Sequence, residues 1–507
     1  MDKDAMQYPD DMNHPWHPDH SLQLLKNADK ADVICLSCGK LMKEEEEMYY
    51  GCSTCGDFSL HLDCAVLNSA PEQPIGVDRP NIHEHPLTLL PREVTFTCNA
   101  CGIKGNVSPY ICLSCRFMIH IDCINLPRVI RINRHPHRLS HTFSITSMKN
   151  LDCGVCREGI NGRYGAYSCL LCLDFYVHSR CATRKDVWDG KELEHGPEDE
   201  TLQNPFIVIS EDTIKHFSHD GHELRRITSD YNDDARCYAC NLQLLYPRPF
   251  YKCFECDFIL HETCASSPLE TRSPIHQHTL TLLYKDAILF RCDACDHSSN
   301  GFRYSCSSSG CNIDFDTKCV SITDPFKYGG HDHALHLLSP DETGPCSACD
   351  QNTSQRMMLG CVECKFCLCF ACATIPDKIP YEDDAHSLSI NYGENFSGEC
   401  YWCDSCERQV DPHKNFYECS NCETIVHTKC AIGGGFRNLT IGVDSTVGCT
   451  KFKMVAIDQV TGPSCSKCGC RKGLSLFESR SGDDDHIDSY SCFDCFDMSS
   501  KEAHTDL

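Results

Sequence analysis

The stretch CFECDFILHETC, residues 253–264, places three cysteines and a histidine within twelve residues, spaced C-x2-C, x4, H, x2, C. Thiolates and imidazoles are the ligands of structural zinc, which takes four of them in a tetrahedron. The block recurs as CSTCGDFSLHLDC (52–64), CLSCRFMIHIDC (112–123), CLLCLDFYVHSRC (169–181), CSSSGCNIDFDTKC (306–319), CVECKFCLCFAC (361–372) and CSNCETIVHTKC (419–430). A second C-x2-C pair precedes each copy, and fixed-period repetition of this kind dictates the architecture before any other signal.

Six ligands make one and a half zinc sites, so two more are required per copy. Histidine pairs ahead of short apolar runs supply them. The eight-ligand sets are His17, His20, Cys35, Cys38, Cys52, Cys55, His61 and Cys64 in repeat one (14–68), and His83, His85, Cys98, Cys101, Cys112, Cys115, His120 and Cys123 in repeat two (83–127). Repeat three (135–185) offers His135, His137, Cys153, Cys156, Cys169, Cys172, His178 and Cys181; repeat four (216–268) offers His219, His222, Cys237, Cys240, Cys253, Cys256, His261 and Cys264. The rest depart from the pattern. Repeat five (274–323) has His276, His278, Cys292, Cys295, Cys306, Cys311 and Cys319, with Asp316 in the late histidine slot. Repeat six (331–377) has His331, His333, Cys346, Cys349, Cys361, Cys364 and Cys372, with Cys369 in that slot. Repeat seven (384–434) has His386, Cys403, Cys406, Cys419, Cys422, His427 and Cys430, with Asp384 where another histidine would stand. His14, His141 and His336 are alternatives to neighbouring histidines. The tail (435–507) keeps Cys465, Cys468, Cys492 and Cys495, either one four-cysteine site or a decayed half-repeat.

An interleaved arrangement is expected: the first cysteine pair joins the late His and Cys, and the upstream histidines join the second pair. Repeat one has its own histidines with nothing before it, which favours this over assigning them to a preceding repeat. Each repeat is near fifty residues, a size at which metal must supply much of the folding free energy. The expected fold is therefore a tandem of small α+β or irregular zinc modules, about seven two-zinc units of short hairpins with one helical turn. Stretches such as LTLLYKDAILFRC suit hairpins, and HETCA and CFACA suit the turn, stopped by Pro268 and Pro376. The cysteine-free acidic segment 186–215 reads as a linker between repeats three and four.

The chain's 507 residues include 44 cysteines and 27 histidines, whereas only 41% are hydrophobic, a ratio that no ordinary core uses. With no signal-peptide-like run at the start and no apolar stretch near 18 residues, the expected location is intracellular, cytoplasmic or nuclear, where thiols stay reduced. A net charge of -26 argues against nucleic acid and anionic membranes as partners, with RVIRINRHPHR (128–138) as a local basic exception. Protein partners are expected.

The pattern H-x-H-x-L, C-x2-C, C-x2-C, x4 or x5, H-x2-C resembles the plant cysteine/histidine-rich proteins, which carry tandem divergent copies of the protein-kinase-C-type (phorbol-ester/diacylglycerol) zinc module. The resemblance spans residues 14 to 434. It implies zinc as cofactor and a connection to intracellular signalling. Two classes of function follow from the residues and the resemblance: a non-enzymatic adaptor, or a thiol–disulfide protein using C-x-x-C pairs such as YWCDSC (401–406) or the surplus Cys367, Cys400, Cys449 and Cys470. Diacylglycerol binding and chromatin reading are lesser alternatives.

Overall fold

The computed structural model describes residues 8–14, 17–26, 33–36, 48–56, 58–62, 64–65, 76–77, 82–90, 92–145, 151–194, 204–228, 235–244, 248–284, 289–338, 343–349, 357–381, 384–393, 401–432, 444–447, 450–456, 463–467, 469, 475–481 and 487–491. The chain divides into two compact bodies, Met1–Pro197 and Glu198–Leu507.

Along the repeats runs one design: small antiparallel sheets, each followed by a single helical turn. In repeat three the sheet orders Val129–Ile130, Leu139–Thr142, Ala166–Cys169 and Tyr176–His178, and Ser179–Ala182 closes it. Repeat five has Glu270–Ser273, His276–Leu283, Arg303–Cys306 and Asp314–Asp316, and repeat seven Lys378–Tyr381, Asp384–Asn391, Phe416–Glu418 and Ile425–His427. A separate two-stranded ribbon crosses the first cysteine pair in several repeats, as at Tyr401–Trp402 with Gln409–Val410. In the tail, Asp444–Val447, Thr450–Ala456, Ser475–Ser481 and Ile487–Ser491 form another four-stranded sheet around Phe452 and Phe477.

Alternation places one face of each sheet inward. Tyr50, Tyr167 and Tyr417 are fully buried two residues before a ligand cysteine. Their hydroxyls donate to the carbonyls of Pro9 (2.7 Å), Pro127 (2.5 Å) and Pro376 (2.6 Å), and Tyr304 does the same to Pro268 (2.8 Å). A hydroxyl buried this deeply needs such a partner. It also ties the third strand to the chain entering the sheet.

Three expectations change. The first strand of each sheet lies upstream of the histidine pair, so the repeats begin earlier than the ligand pattern indicates; Val129 and Lys378 start strands before residues 135 and 384. The segment 186–215 is folded at both ends. Val187 is buried, the Leu193 amide donates to Val129 O (2.8 Å), and Phe206–Ser210 and Thr213–His216 pair as outer strands of the repeat-four sheet. Acidic composition concealed these because their apolar residues are few and scattered. LTLLYKDAILFRC is not one hairpin, since His276–Leu283 and Phe290–Arg291 join different sheets. The expected turns occupy Glu262–Ala265 and Phe370–Ala373, ending at Ser266 and Thr374 before either proline.

Candidate metal centres

The sheets bring the ligands together in interleaved fours. His17, His20, Cys52 and Cys55 converge, as do His83, His85, Cys112 and Cys115, and His135, His137, Cys169 and Cys172. Cys98, Cys101, His120 and Cys123 form another set, and Cys153, Cys156, His178 and Cys181 another; in all five, every donor atom lies within 4.8 Å of the others, and nine further groups of three or more donors occur.

The spacings can be tested against a tetrahedron. Bonds of about 2.3 Å to sulfur and 2.0–2.1 Å to nitrogen give edges of roughly 3.3 Å between nitrogens, 3.5 Å for nitrogen to sulfur and 3.8 Å between sulfurs. His17 Nε2 and His20 Nδ1 are 3.3 Å apart and lie 3.4 and 3.3 Å from Cys55 Sγ. Cys256 to His219 is 3.5 Å, Cys253 to His222 3.7 Å, Cys364 to His331 3.4 Å, and Cys361 to His333 3.6 Å. In the other class of site, Cys240 to His261 is 3.3 Å, Cys264 to His261 3.9 Å, Cys406 to His427 3.3 Å, and Cys430 to His427 3.9 Å. The donors fit an ion of that size. The first histidine of each pair presents Nε2 and the second Nδ1, so His386, which offers Nδ1 to Cys422 at 3.2 Å, occupies the second position.

Backbone geometry makes the first cysteine pair a clamp. The residue after the second cysteine adopts a left-handed conformation at Gly102, Arg157, Asn241, Asp296 and Glu407, and its amide donates back to the first cysteine's carbonyl. The first thiol in turn accepts the amide of the late slot residue at 3.4 Å in every repeat: His61 to Cys35, His120 to Cys98, His178 to Cys153, His261 to Cys237, Asp316 to Cys292, Cys369 to Cys346 and His427 to Cys403. Such bonds favour the thiolate. Within repeat three, the Cys181 thiol pushes Cys153 down to about 3, while the same contact drives Cys181 well above its ordinary range. Only a cation lets such crowded thiols ionise together.

A family model described as the C1 domain matches residues 15–65, 81–124, 133–182, 217–265, 274–320 and 383–431, together more than half of the chain. The chain belongs to the C1 domain family. No curated protein and no solved structure matches it significantly. Residues 331–377 fall outside the matched C1 stretches, yet Leu335–Leu338, Met358–Cys361 and Cys367–Leu368 form a similar sheet, followed by a helical turn. There Cys369 stands 3.9 Å from Cys349 in the late slot. In the C1 module at 274–320, Asp316 fills the slot with both oxygens engaged. Its Oδ2 lies 3.1 Å from Cys295 Sγ and 3.5 Å from Cys319 Sγ, while Oδ1 accepts the Cys319 amide (2.8 Å) and caps the helical turn.

Two features of the C1 modules escaped the sequence reading. In five modules the first histidine of the pair stacks on a phenylalanine two or three residues beyond the second cysteine pair: His17 on Phe58, His83 on Phe117, His135 on Phe175, His219 on Phe258 and His331 on Phe366, at centroid distances from 3.9 to 4.6 Å, whereas His276 lies tilted at 5.9 Å from Phe315. The recurrence of Phe at that position was the available signal. In module seven, Thr424 replaces the Phe where Asp384 replaces the histidine. Glu255 and Glu363 lie 3.5 and 3.2 Å from the outer nitrogens of His222 and His333, fixing their orientation.

The alternative histidines have other partners or surroundings. His141 Nε2 meets Ala100 O (3.1 Å) and Ser179 Oγ (3.0 Å), and His336 Nδ1 meets Asp324 (2.9 Å). His14 is buried beside Phe58, its pKa lowered to about 4 by burial and by His17. Cys367 sits on a strand, its amide donating to Ser347 Oγ (3.2 Å). Cys38, Cys400, Cys449, Cys468, Cys470, Cys492 and Cys495, with the side chain of Asp384, lie outside the described residues. In the tail, the Gly469 amide donates to Cys465 O and that of Ser466 to Tyr490 O, both at 2.8 Å, like the clamps of the C1 modules. Among the described residues no cysteine is in a disulfide, and no helix is long and apolar enough to cross a membrane.

Proposed function

We propose that the chain is a zinc-binding array of seven C1 modules, each holding two zinc ions, and that it works as a non-enzymatic protein-interaction adaptor in intracellular signalling. The observation that carries the zinc reading is the donor spacing. Sets of two imidazoles with two thiolates, and of three thiolates with one imidazole, suit zinc and exceed what calcium or magnesium would recruit. Complete four-ligand sites leave no open coordination position for a substrate or activated water, which supports a structural role. The adaptor reading draws support from exposed apolar residues on the second cysteine clamps. Leu113, Leu170, Leu171, Leu173, Phe254 and Val362 are all more than half exposed, although burial would favour each.

Native mass spectrometry of the protein purified without chelator, with a thiol count on the same sample, tests the reading. About fourteen zinc ions are expected, or fifteen if the tail binds one, with almost no reactive thiol. Far fewer ions together with a C-x-x-C pair that oxidises reversibly would replace it with a thiol–disulfide function.

A further inference from the structure

Within the body Glu198–Leu507, repeat four carries a strand that the other repeats lack among the described residues. In repeats five and seven the sheet opens with Glu270–Ser273 and Lys378–Tyr381, each paired with the strand that bears the upstream histidine. Thr213–His216 is their counterpart in repeat four, and Phe206–Ser210 is added outside it as the terminal strand of a five-stranded sheet. Opening strands elsewhere have features that keep a sheet edge from pairing: Asp11 in Asp11–His14, Glu270 and Arg272 in Glu270–Ser273, Lys378 and Pro380 in Lys378–Tyr381, and a length of only two residues at Gly76–Val77 and Val129–Ile130. The strand Phe206-Ile207-Val208-Ile209-Ser210 has no charge and no proline, and Ile207, Val208 and Ile209 are 67%, 65% and 51% exposed. Consecutive residues of a strand point to opposite faces, so apolar side chains lie open on both. Addition of another strand covers both faces at once.

Backbone geometry limits what can be added. The Phe217 amide donates to Pro205 O (2.9 Å), Phe206 lies opposite His216, and Ile207 lies opposite Lys215. Antiparallel alternation then turns the amide and carbonyl of Ile207 towards Thr213–His216 and those of Phe206 and Val208 outward. Between Val208 and Ser210 the register shifts, and the regular edge ends there. The edge therefore offers two donors and two acceptors, and a second copy turned antiparallel about a two-fold axis through Ile207 offers the same groups in matching order. Phe206 would exchange its bonds with Val208 of the other copy, and Val208 with Phe206. Parallel pairing in register would instead set Glu211 beside Glu211, a like-charge contact.

We propose that two copies of the chain join edge to edge through Phe206–Ser210, antiparallel and with Ile207 packed on Ile207 at the axis, so that the repeat-four sheets of both become one continuous sheet. Such an interface uses the same patch on each partner and closes as a dimer. A single short strand edge buries less than the roughly 1,200 Å² at which stable complexes begin, so the dimer is weak, with a dissociation constant in the micromolar range. Each chain has a net charge of -26 and the strand has none, so the copies repel at long range and association strengthens as salt screens that repulsion.

Sedimentation velocity on the metal-loaded full chain, from about 1 to about 200 μM at low and high salt, reads the dimer. Val208→Pro removes an outward amide while leaving the bonds to Thr213–His216 in place, and should weaken association by at least about tenfold. Ile207→Lys and Ile207→Glu each set like charges against one another at the axis and should do the same, whereas their equimolar mixture should restore a dimer, because only there do opposite charges meet. Metal counts by native mass spectrometry, expected to equal those of wild type, check that the variants remain folded. If Val208→Pro loses metal, the comparison of the two charged variants with their mixture still decides. A wild type that stays monomeric at every concentration and salt, as it would with the edge covered by another protein's strand or by a different segment of the same chain, would overturn the proposal. So would variants that dimerise like wild type, or a mixture no more associated than its components.

Discussion

Replacing Gly165 with alanine isolates the contact between modules two and three. The new methyl would stand 2.6 Å from Ala100 O and 2.9 Å from His141 Cε1, closer than side-chain carbons approach such atoms, so the two modules must separate by at least several tenths of an ångström. Three bonds are then stretched: Gly165 N to Asn99 O, Ser179 Oγ to Ala100 O, and His141 Nε2 to Ala100 O. At about 1 kcal/mol each, with up to about 1 kcal/mol returned because alanine restricts the unfolded chain, the net loss is about 2 kcal/mol. No metal ligand is touched. Gly159→Ala in the same module is the control, since nothing lies within 4 Å of its Cβ position. Hydrogen exchange of the metal-loaded protein should show amides around residues 98–103 and 165–169 opening about thirtyfold faster in Gly165→Ala and little changed in Gly159→Ala. Equal exchange in the two variants would refute docking through the clamp.

Removing the stacked ring in Phe175→Ala should loosen His135 and raise the chelator-driven loss rate at the His135/His137/Cys169/Cys172 site by about tenfold, read by a colorimetric zinc indicator. By the same logic the module-seven site with His386 and Cys422, beside Thr424, should empty first among sites of its class. Asp316→His exchanges a buried carboxylate and its helix cap, worth about 1 kcal/mol, for the imidazole used at this slot elsewhere; slower metal loss is expected, measured by the same assay. His216 is buried, and its pKa is lowered to about 4 chiefly by burial, so neutral histidine is favoured in the folded state. Its stabilisation is therefore present above about pH 6.5 and falls by up to about 3 kcal/mol as the pH drops towards 4. Urea unfolding of wild type and His216→Gln across that interval should show a smaller acid-induced loss in the variant.

Ligand spacing made the candidate metal centres legible because four donors that must converge on one point leave little freedom in the chain. The interleaved sets expected for Cys98 with His120, and for His83 with Cys115, correspond to the observed groupings. What spacing could not convey was the scaffold. Strands such as Val129–Ile130 carry no ligand and are too short for an alternation signal, so the module starts were set late. Trp188 and Leu193 looked like linker because their partners, Ile132 and Val129, lie over fifty residues away in the chain. Asp316 was readable as a ligand substitute, but its second role as helix cap depends on φ and ψ at the turn.

The amide-to-sulfur bond at 3.4 Å is indifferent to whether the late slot holds histidine, aspartate or cysteine, because the contact uses backbone. The slot is thus addressed by the main chain and only tuned by the side chain, so its chemistry can change without remodelling the hairpin. One scaffold thereby carries His178, Asp316 and Cys369 as three grades of ligand basicity and site charge. On the zinc-binding reading proposed above, such a chain would shed its ions stepwise as free metal declines, responding over a wide concentration span instead of at a single threshold.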